Sequence, residues 1–465
     1  MIELKDLFGV LPELVVLATA FIVLVADAGI GRRGYGNLIS LIGYIIAILV
    51  SLSIGYNGKV FGILYRDQLT LISNILFIFC GMVTSFYARD YLIREDRHVG
   101  EFYGLIALSV CSMMLLASSS NLLLFFLSLE ALSISLYALA GFTRDRDASV
   151  EASLKYFIIG AFSATFTALG IALLLYVSGS LDLEVLSTIK PSIIYGIGVA
   201  LIFVSILFKM SAAPFHIWAP DVYQGAPSPS TGFMMTASKA AIFIFTLRLT
   251  ESIFSNVWYP LLIMASVLSM IIGNITALRQ TDAKRILAYS SIAHAGYILM
   301  GYLVGGKDAV SAVVFYAISY AIMNLGSFAV LSIIGGKDEV NTDLNNLSGL
   351  AVRHPVWATV LSIFLFSLTG IPGTIGFAAK FYLFSVALKA GLWEIVLFAL
   401  INSAIAAYYY LKIVYYMFMR EPSCDDYGVG TGFLTGVTTF VLSAITIIVG
   451  IVPSIILDIV INAVK

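Results

Sequence analysis

Four ionisable residues stand inside long apolar runs, where charge is expensive. Glu130 lies in LLLFFLSLEALSISLYALAGF, about ten residues from either end, with Ser133 and Tyr137 on the same helical face. Lys209 ends LIFVSILFK, Lys239 sits in the middle of STGFMMTASKAAIFIFTLRL, and Lys380 lies in LFSLTGIPGTIGFAAKFYLF, eight residues after Pro372. A charged side chain at bilayer depth costs a few kcal/mol on insertion scales, so it faces a protein interior or a hydrated path. Burial disfavours the charged form of a lysine and a nearby carboxylate restores it, so such a group can take and release a proton. Glu130, Lys209, Lys239 and Lys380 thus form a candidate acid–base chain through the middle of the membrane.

The elements that position these residues are unusual. Pro214 follows Lys209 by five residues, and Pro220, Pro227 and Pro229 lie beyond it, so the seventh span should break and the segment after it unwind. The twelfth span is the other one interrupted by Gly and Pro, and it carries Lys380. Broken helices at equivalent places are the mark of inverted repeats. Helices 4 to 8 and 9 to 13 read as two five-helix units, with a short echo between EASLKYFIIGAFSATFTALG and DAVSAVVFYAISYAIMNLGS.

Other candidates are less exclusive. Lys155 begins its span and Lys412 ends one, so both can snorkel to an interface. His294, in ILAYSSIAHAGYILMG, is either a proton relay or a hydrogen-bonded core histidine. His216 and Asp221 fall in the segment expected to unwind, as cavity lining or helix caps, and Glu13 and Asp27 bracket the first span as interfacial charges. Trp258, Trp357 and Trp393 read as interface anchors.

The whole composition agrees with a membrane chain. Of 465 residues, 60% are hydrophobic and only 11% charged, against about 25% in a soluble domain; the mean hydropathy is +0.99. Apolar runs place spans near 10–30, 38–56, 69–88, 101–118, 120–141, 152–177, 193–211, 228–250, 257–278, 284–304, 308–335, 356–389, 392–419 and 431–457, fourteen in all. The first reads as a retained helix, since no small-residue cleavage site follows it.

Connections after odd-numbered spans hold thirteen Lys and Arg, among them Arg32, Arg33, Arg146, Lys284 and Arg285, against eight on the opposite side, including Lys5, Arg66, Arg248 and Lys465. By the positive-inside rule both termini lie outside. A net charge of −1 leaves no basic surface for nucleic acid. Cys80, Cys111 and Cys424 are scattered singly, and His98, His216, His294 and His354 lie far apart, which argues against iron–sulfur, zinc or haem sites.

The run FKMSAAPFHIWAPDVYQGAPSPSTGFMMTASKAAIF resembles the signature of the N-type antiporter-like membrane subunit of respiratory complex I, related to the M and L subunits and to the large subunits of Mrp-type cation/proton antiporters. LPELVVLATAFIVLVADA, ALRQTDAKRILAYSSIAHAGYILMG and GIPGTIGFAAKFYLFSVALKAG are similar to it as well, so the resemblance spans nearly the whole chain. The M, L and Mrp members carry a histidine-containing stretch that this chain lacks, it shows no long lateral helix after the fourteenth span, and its tail, SCDDYGVGTGFLTG, diverges.

The resemblance implies an all-α integral membrane fold of fourteen transmembrane helices with two inverted five-helix repeats. Residues 1–100 hold helices 1 to 3, 101–255 the first repeat, 256–420 the second and 421–465 helix 14. It assigns proton transfer to Glu130, Lys209, Lys239 and Lys380, with Lys155 as the sixth-helix lysine, and leaves His294 and His216 as supporting candidates. It implies a proton-translocating subunit of an NADH:quinone-type oxidoreductase, or of a relative using a deazaflavin or ferredoxin donor, in a prokaryotic cell membrane. No cofactor is expected in this chain; quinone, flavin and iron–sulfur clusters belong to partner subunits. Its partners would be K- and M-type neighbours, a peripheral electron-input arm and the lipid bilayer. An Mrp-type antiporter subunit with no redox partner is the alternative, and a purely structural subunit would tolerate neutral replacement of the buried charges.

Overall fold

A computed structural model describes residues 4–30, 35–55, 58–97, 100–253, 258–422 and 432–464. Arg32, Arg33, His98, Cys424, most of the divergent tail and Lys465 lie outside the described residues. Lipid offers backbone groups no hydrogen-bond partner, so each apolar run satisfies its own amides as a helix. Among the described residues twelve helices are long and apolar enough to cross a membrane. The one sheet among them is a two-stranded hairpin, Lys59–Val60 against Leu64–Tyr65.

Most spans fall where apolarity places them, and the differences have physical causes. Helices Gln68–Arg94 and Asp147–Ser178 outrun the expected 69–88 and 152–177, because a helix continues past the membrane edge into turns carrying Arg89 and Asp90 or Asp147 and Glu151. The segment after Lys209 does not stay unwound as expected. Helix Ile193–Met210 stops at Ser211, in the left-handed region (φ 57°), and the chain resumes as a short helix, Trp218–Gly225. Pro220 is tolerated there because it lies in the first turn, where its missing N–H has no intrahelical partner; Pro229 likewise opens helix Ser228–Phe233.

The expected span 356–389 is two helices, Pro355–Thr369 and Ile375–Lys389, hinged at Gly370 (φ 93°). The expected span 431–457 is also divided: helix Phe433–Ile451 ends before Pro453, and Ser454–Val464 follows.

Burial sorts the helices into core and periphery. Helices Ser228–Thr250 and Gly306–Ile334 are each 94% buried over their most apolar stretch, against 33% for Leu11–Gly29, Tyr35–Ser53 and Asp147–Ser178. Helix Ala283–Tyr302 is buried along nearly its whole length, with only Arg285 and Tyr289 partly exposed. Lys239 and His294 therefore lie on two of the most enclosed helices.

Candidate functional site

Helix Leu122–Ala140 presents Glu130, Ser133 and Tyr137 to the end of helix Ile193–Met210. Glu130 and Lys209 form no contact ion pair. Lys209 Nζ donates instead to Ser133 Oγ at 2.6 Å and lies 5.8 Å from the Tyr137 ring centroid. Ser133 lies one turn from Glu130 on the same face and intercepts the amine. Glu130 remains an electrostatic neighbour of Lys209 while its Oε1 is buried with no hydrogen-bond partner.

Lys239 follows a π-turn, Met234–Ser238, in the helix that starts at Ser228. A small cavity lined by Ser133, Tyr156, Lys209 and Ser238 adjoins this turn. Lys239 Nζ donates to Ser291 Oγ at 2.9 Å and lies 5.6 Å from the Tyr223 ring. Three residues beyond Ser291, His294 is held between two phenols, with Nδ1 2.7 Å from Tyr316 Oη and Nε2 3.3 Å from Tyr410 Oη. Ser291, His294 and Tyr297 repeat every three residues on one helix, so they share a face about 9 Å long. Tyr297 ends that face 5.4 Å from Lys380 Nζ.

Lys380 belongs to the second half of its broken helix and reaches back to the first. Its Nζ donates to the carbonyls of Leu368 and Thr369, both at 2.9 Å, and to Ser403 Oγ at 3.0 Å. Those carbonyls are at the C-terminal end of helix Pro355–Thr369, where a cation is favoured. Each of the three buried lysines thus meets one serine hydroxyl, a group able to donate or to accept. None of the three, nor Glu130, has an ion-pair partner within 4 Å among the described residues.

The remaining candidates lie elsewhere. Lys155 is half-buried and pairs with Glu151 at 2.7 Å and Asp221 at 2.9 Å on the wall of a charged cavity of about 540 Å³. Burial opposes the charge of Asp221, but Lys155 and Arg285 outweigh it and hold its carboxyl below the usual range. His216 is half-buried between helices Ile193–Met210 and Trp218–Gly225, and burial pushes its imidazole below the ordinary value. Lys412 donates to the carbonyl of Gln280 at 2.9 Å, just past helix Tyr259–Leu278.

Three ion pairs escaped the reading of the sequence. Glu13 is not an interfacial charge; it is buried and accepts from Arg66 at 2.7 Å, with the two side chains 3% and 2% exposed. Arg248 grips Asp67 through two bonds of 2.8 and 2.9 Å and also donates to the Ala117 carbonyl. Glu339 is fully enclosed, 2.7 Å from Lys284 and 3.3 Å from Arg146, and it accepts the Ser228 N–H at the start of the Lys239-bearing helix. Desolvation opposes its charge, but Lys284 and Arg146 hold the Glu339 carboxyl down at about 2. Arg66, Arg248 and Lys284 were counted as loop cations because each lies at the end of an apolar run; only the fold reveals their partners.

Known proteins share both the sequence and the fold. A family described as "NADH:quinone oxidoreductase/Mrp antiporter, TM" matches residues 119–406. The NADH-quinone oxidoreductase subunit N of Trichlorobacter lovleyi is 38% identical over 472 residues, covering 98% of this chain and 96% of that one. A chain of respiratory complex I from Thermus thermophilus with bound aureothin superposes with a TM-score of 0.85 at 33% identity, over 96% of this chain and 99% of that chain. A chain of the Mrp complex from Dietzia sp. DQ12-45-1b shares the fold, with a TM-score of 0.85 over 99% and 97% of the two chains, at 20% identity. The chain belongs to the NADH-quinone oxidoreductase subunit N family.

Proposed function

We propose that this chain is a proton-translocating membrane subunit of a complex I-type quinone oxidoreductase, driven by redox chemistry in other subunits. One contrast carries the reading. Glu13, Lys284 and Arg248 are buried and closely paired, as structural charges must be, whereas Lys209, Lys239 and Lys380 are buried among neutral hydroxyls, carbonyls and rings. A buried charge without a counter-ion is costly to keep for packing alone. It suits a group whose charge comes and goes.

In this mechanism a charge change arriving from the neighbouring K-type subunit acts on Glu130. Drawing the Glu130 charge away from Lys209 releases the Lys209 proton past Ser238 towards Lys239. The face made by Ser291, His294 and Tyr297 leads on to Lys380, which passes a proton to the outside while the site refills from the cytoplasm. Lys155, on the wall of the charged cavity, and His216, in the break after Lys209, stand apart from this line in supporting roles.

The helices fit a fourteen-span topology when Ala283–Tyr302 and the broken pair Pro355–Thr369 and Ile375–Lys389 are counted as crossings. Both broken helices end their first half on a left-handed residue, Ser211 or Gly370, which supports two inverted five-helix repeats over 101–255 and 256–420. Helices 1 to 3 then precede them in 1–100, helix 14 follows in 421–465, and both termini lie outside. Quinone, flavin and iron–sulfur clusters are assigned to partner subunits, with K- and M-type membrane neighbours and a peripheral electron-input arm.

Reconstituted complex carrying Lys239→Ala or Glu130→Ala is expected to lose proton pumping; normal pumping stoichiometry and rate in both variants would overturn the reading. Against an Mrp-type antiporter stands the higher identity to the complex I chain, 33% against 20%. Co-purification with flavin and iron–sulfur subunits separates the two.

A further inference from the structure

The enclosed carboxylate Glu339 forms part of the wall of the charged cavity and also touches the start of the helix that carries Lys239. Inward from it, the seam between helices Gln68–Arg94, Ser228–Ser238 and Gly306–Ile334 holds a run of polar atoms that are buried and have no hydrogen-bond partner. They are Ser228 Oγ, Ser230 Oγ, Tyr91 Oη, Tyr87 Oη, Asn324 Oδ1 and Tyr320 Oη. Buried polar groups are satisfied in the great majority of cases, by protein or by ordered water, so six orphans in one seam mark a place built for water.

The orphans are in order. Tyr91 lies within electrostatic reach of Glu339 and Arg146. Tyr87 is one turn further along the same helix, and its Oη lies against Gly232, where a Cβ would come within 2.7 Å of it and of Phe328 Cβ. Phe328, Asn324 and Tyr320 then repeat every four residues on one face of helix Gly306–Ile334. Tyr320 lies beside Ser291, the hydroxyl that accepts from Lys239. From Ser228 to Lys239 is eleven residues, about 16 Å of helix, or half the thickness of the hydrocarbon layer.

We propose that this seam is a hydrated path that carries protons from the charged cavity at the membrane face to Lys239. The inference rests on the reading of Lys239 as a proton carrier. A proton entering at the cavity is passed along the water and hydroxyl chain, each oxygen accepting one proton and donating another, so one proton reaches the Lys239 amine for each one taken up. Glycine at 232 keeps the narrowest point open, since any larger residue would push on the Tyr87 phenol.

Tyr87→Phe, Tyr91→Phe and Asn324→Leu remove the polar atoms and keep the shape. In the purified, reconstituted complex the double variant Tyr87→Phe/Asn324→Leu is expected to pump protons at least about tenfold more slowly, with a larger solvent isotope effect. The amount of subunit retained in the complex and its thermal unfolding, read on the same sample, check that the variant is assembled. Wild-type pumping by the double variant, assembled in the complex, overturns the path; the single Tyr91→Phe variant gives the same test where the double variant fails to assemble. Lys239→Ala, measured alongside, separates the two levels. Intact pumping there removes the role of Lys239 itself, whereas blocked pumping there with normal seam variants removes the seam alone.

Discussion

Replacement of Lys380 by arginine tests whether this amine must lose its proton. Lys380 Nζ has three partners, the Leu368 and Thr369 carbonyls and the Ser403 hydroxyl. As an ammonium it donates to all three. As a neutral amine its two N–H groups still serve the carbonyls, and its lone pair accepts from Ser403, so only one hydroxyl rotor turns between the states. The site therefore accommodates both charge states without moving the backbone. Lys380→Arg keeps the charge at the end of helix Pro355–Thr369 but not the exchange. An arginine with a pKa of about 12 is neutral about once in 10⁵ at pH 7, and reaching that state costs about 7 kcal/mol at 1.36 kcal/mol per unit. The assay is proton uptake in proteoliposomes read by a pH-sensitive dye, with electron transfer measured on the same sample and thermal unfolding as the check on assembly. The expected result is an assembled complex whose proton yield per electron falls, or whose electron transfer stalls with it. A Lys380→Arg complex with wild-type yield and rate would refute the claim that this amine gives up its proton.

Two structural predictions accompany it. Glu13→Ala leaves Arg66 buried and uncompensated, so the subunit should lose about 3–5 kcal/mol, read as a lowered melting temperature or failed assembly; a wild-type melting curve would mean that water or a rearrangement replaces the carboxylate. Glu339 has a depressed folded value, about 2 against an ordinary 4.5, so its contribution is complete above that ordinary value and is lost as pH falls towards 2. The gap in melting temperature between wild type and Glu339→Gln should therefore be constant above about pH 5 and close below it; a gap that widens on acidification would contradict the assignment.

The sequence carried the span positions because a backbone in lipid has few options, so an apolar run of the right length is already a helix. It carried the two breaks because Pro214 and Pro372 each remove a helix donor, and it carried the buried charges because Glu130 and Lys239 stand mid-run, where they cannot snorkel, while Lys209 and Lys380 stand beside the breaks. What it could not carry is what each lysine touches. Ser133 was visible as a neighbour of Glu130 on one helix face, but Ser291 is 52 residues from Lys239 and Ser403 is 23 from Lys380. Serines abound in this chain, and nothing local marks these two. The same holds for Glu339, in a loop 55 residues from Lys284, and for Glu13, whose position at the start of an apolar run reads as an interfacial charge until Arg66 is found against it. The resumption of helix at Trp218 was missed for a different reason: four prolines look disruptive in sequence, yet Pro220 and Pro229 occupy first turns where proline does no harm.

The paired and unpaired charges divide the labour along a single helix. The element that begins at Ser228 is held at one end by Glu339, which accepts its first N–H, and near the other by Arg248, which is bonded twice to Asp67 and once to Ala117. Lys239 lies between these anchors, next to a π-turn and away from any carboxylate. The separation is what proton transfer requires. Attraction between opposite charges in contact grows as the surrounding dielectric falls, so a carboxylate against Lys239 would hold its proton through every cycle. A serine hydroxyl binds the amine in either state and favours neither strongly. Rigid ion pairs at the ends therefore fix where the amine sits, and the neutral surroundings in between leave its charge free to respond to Lys209 on one side and Lys380 on the other.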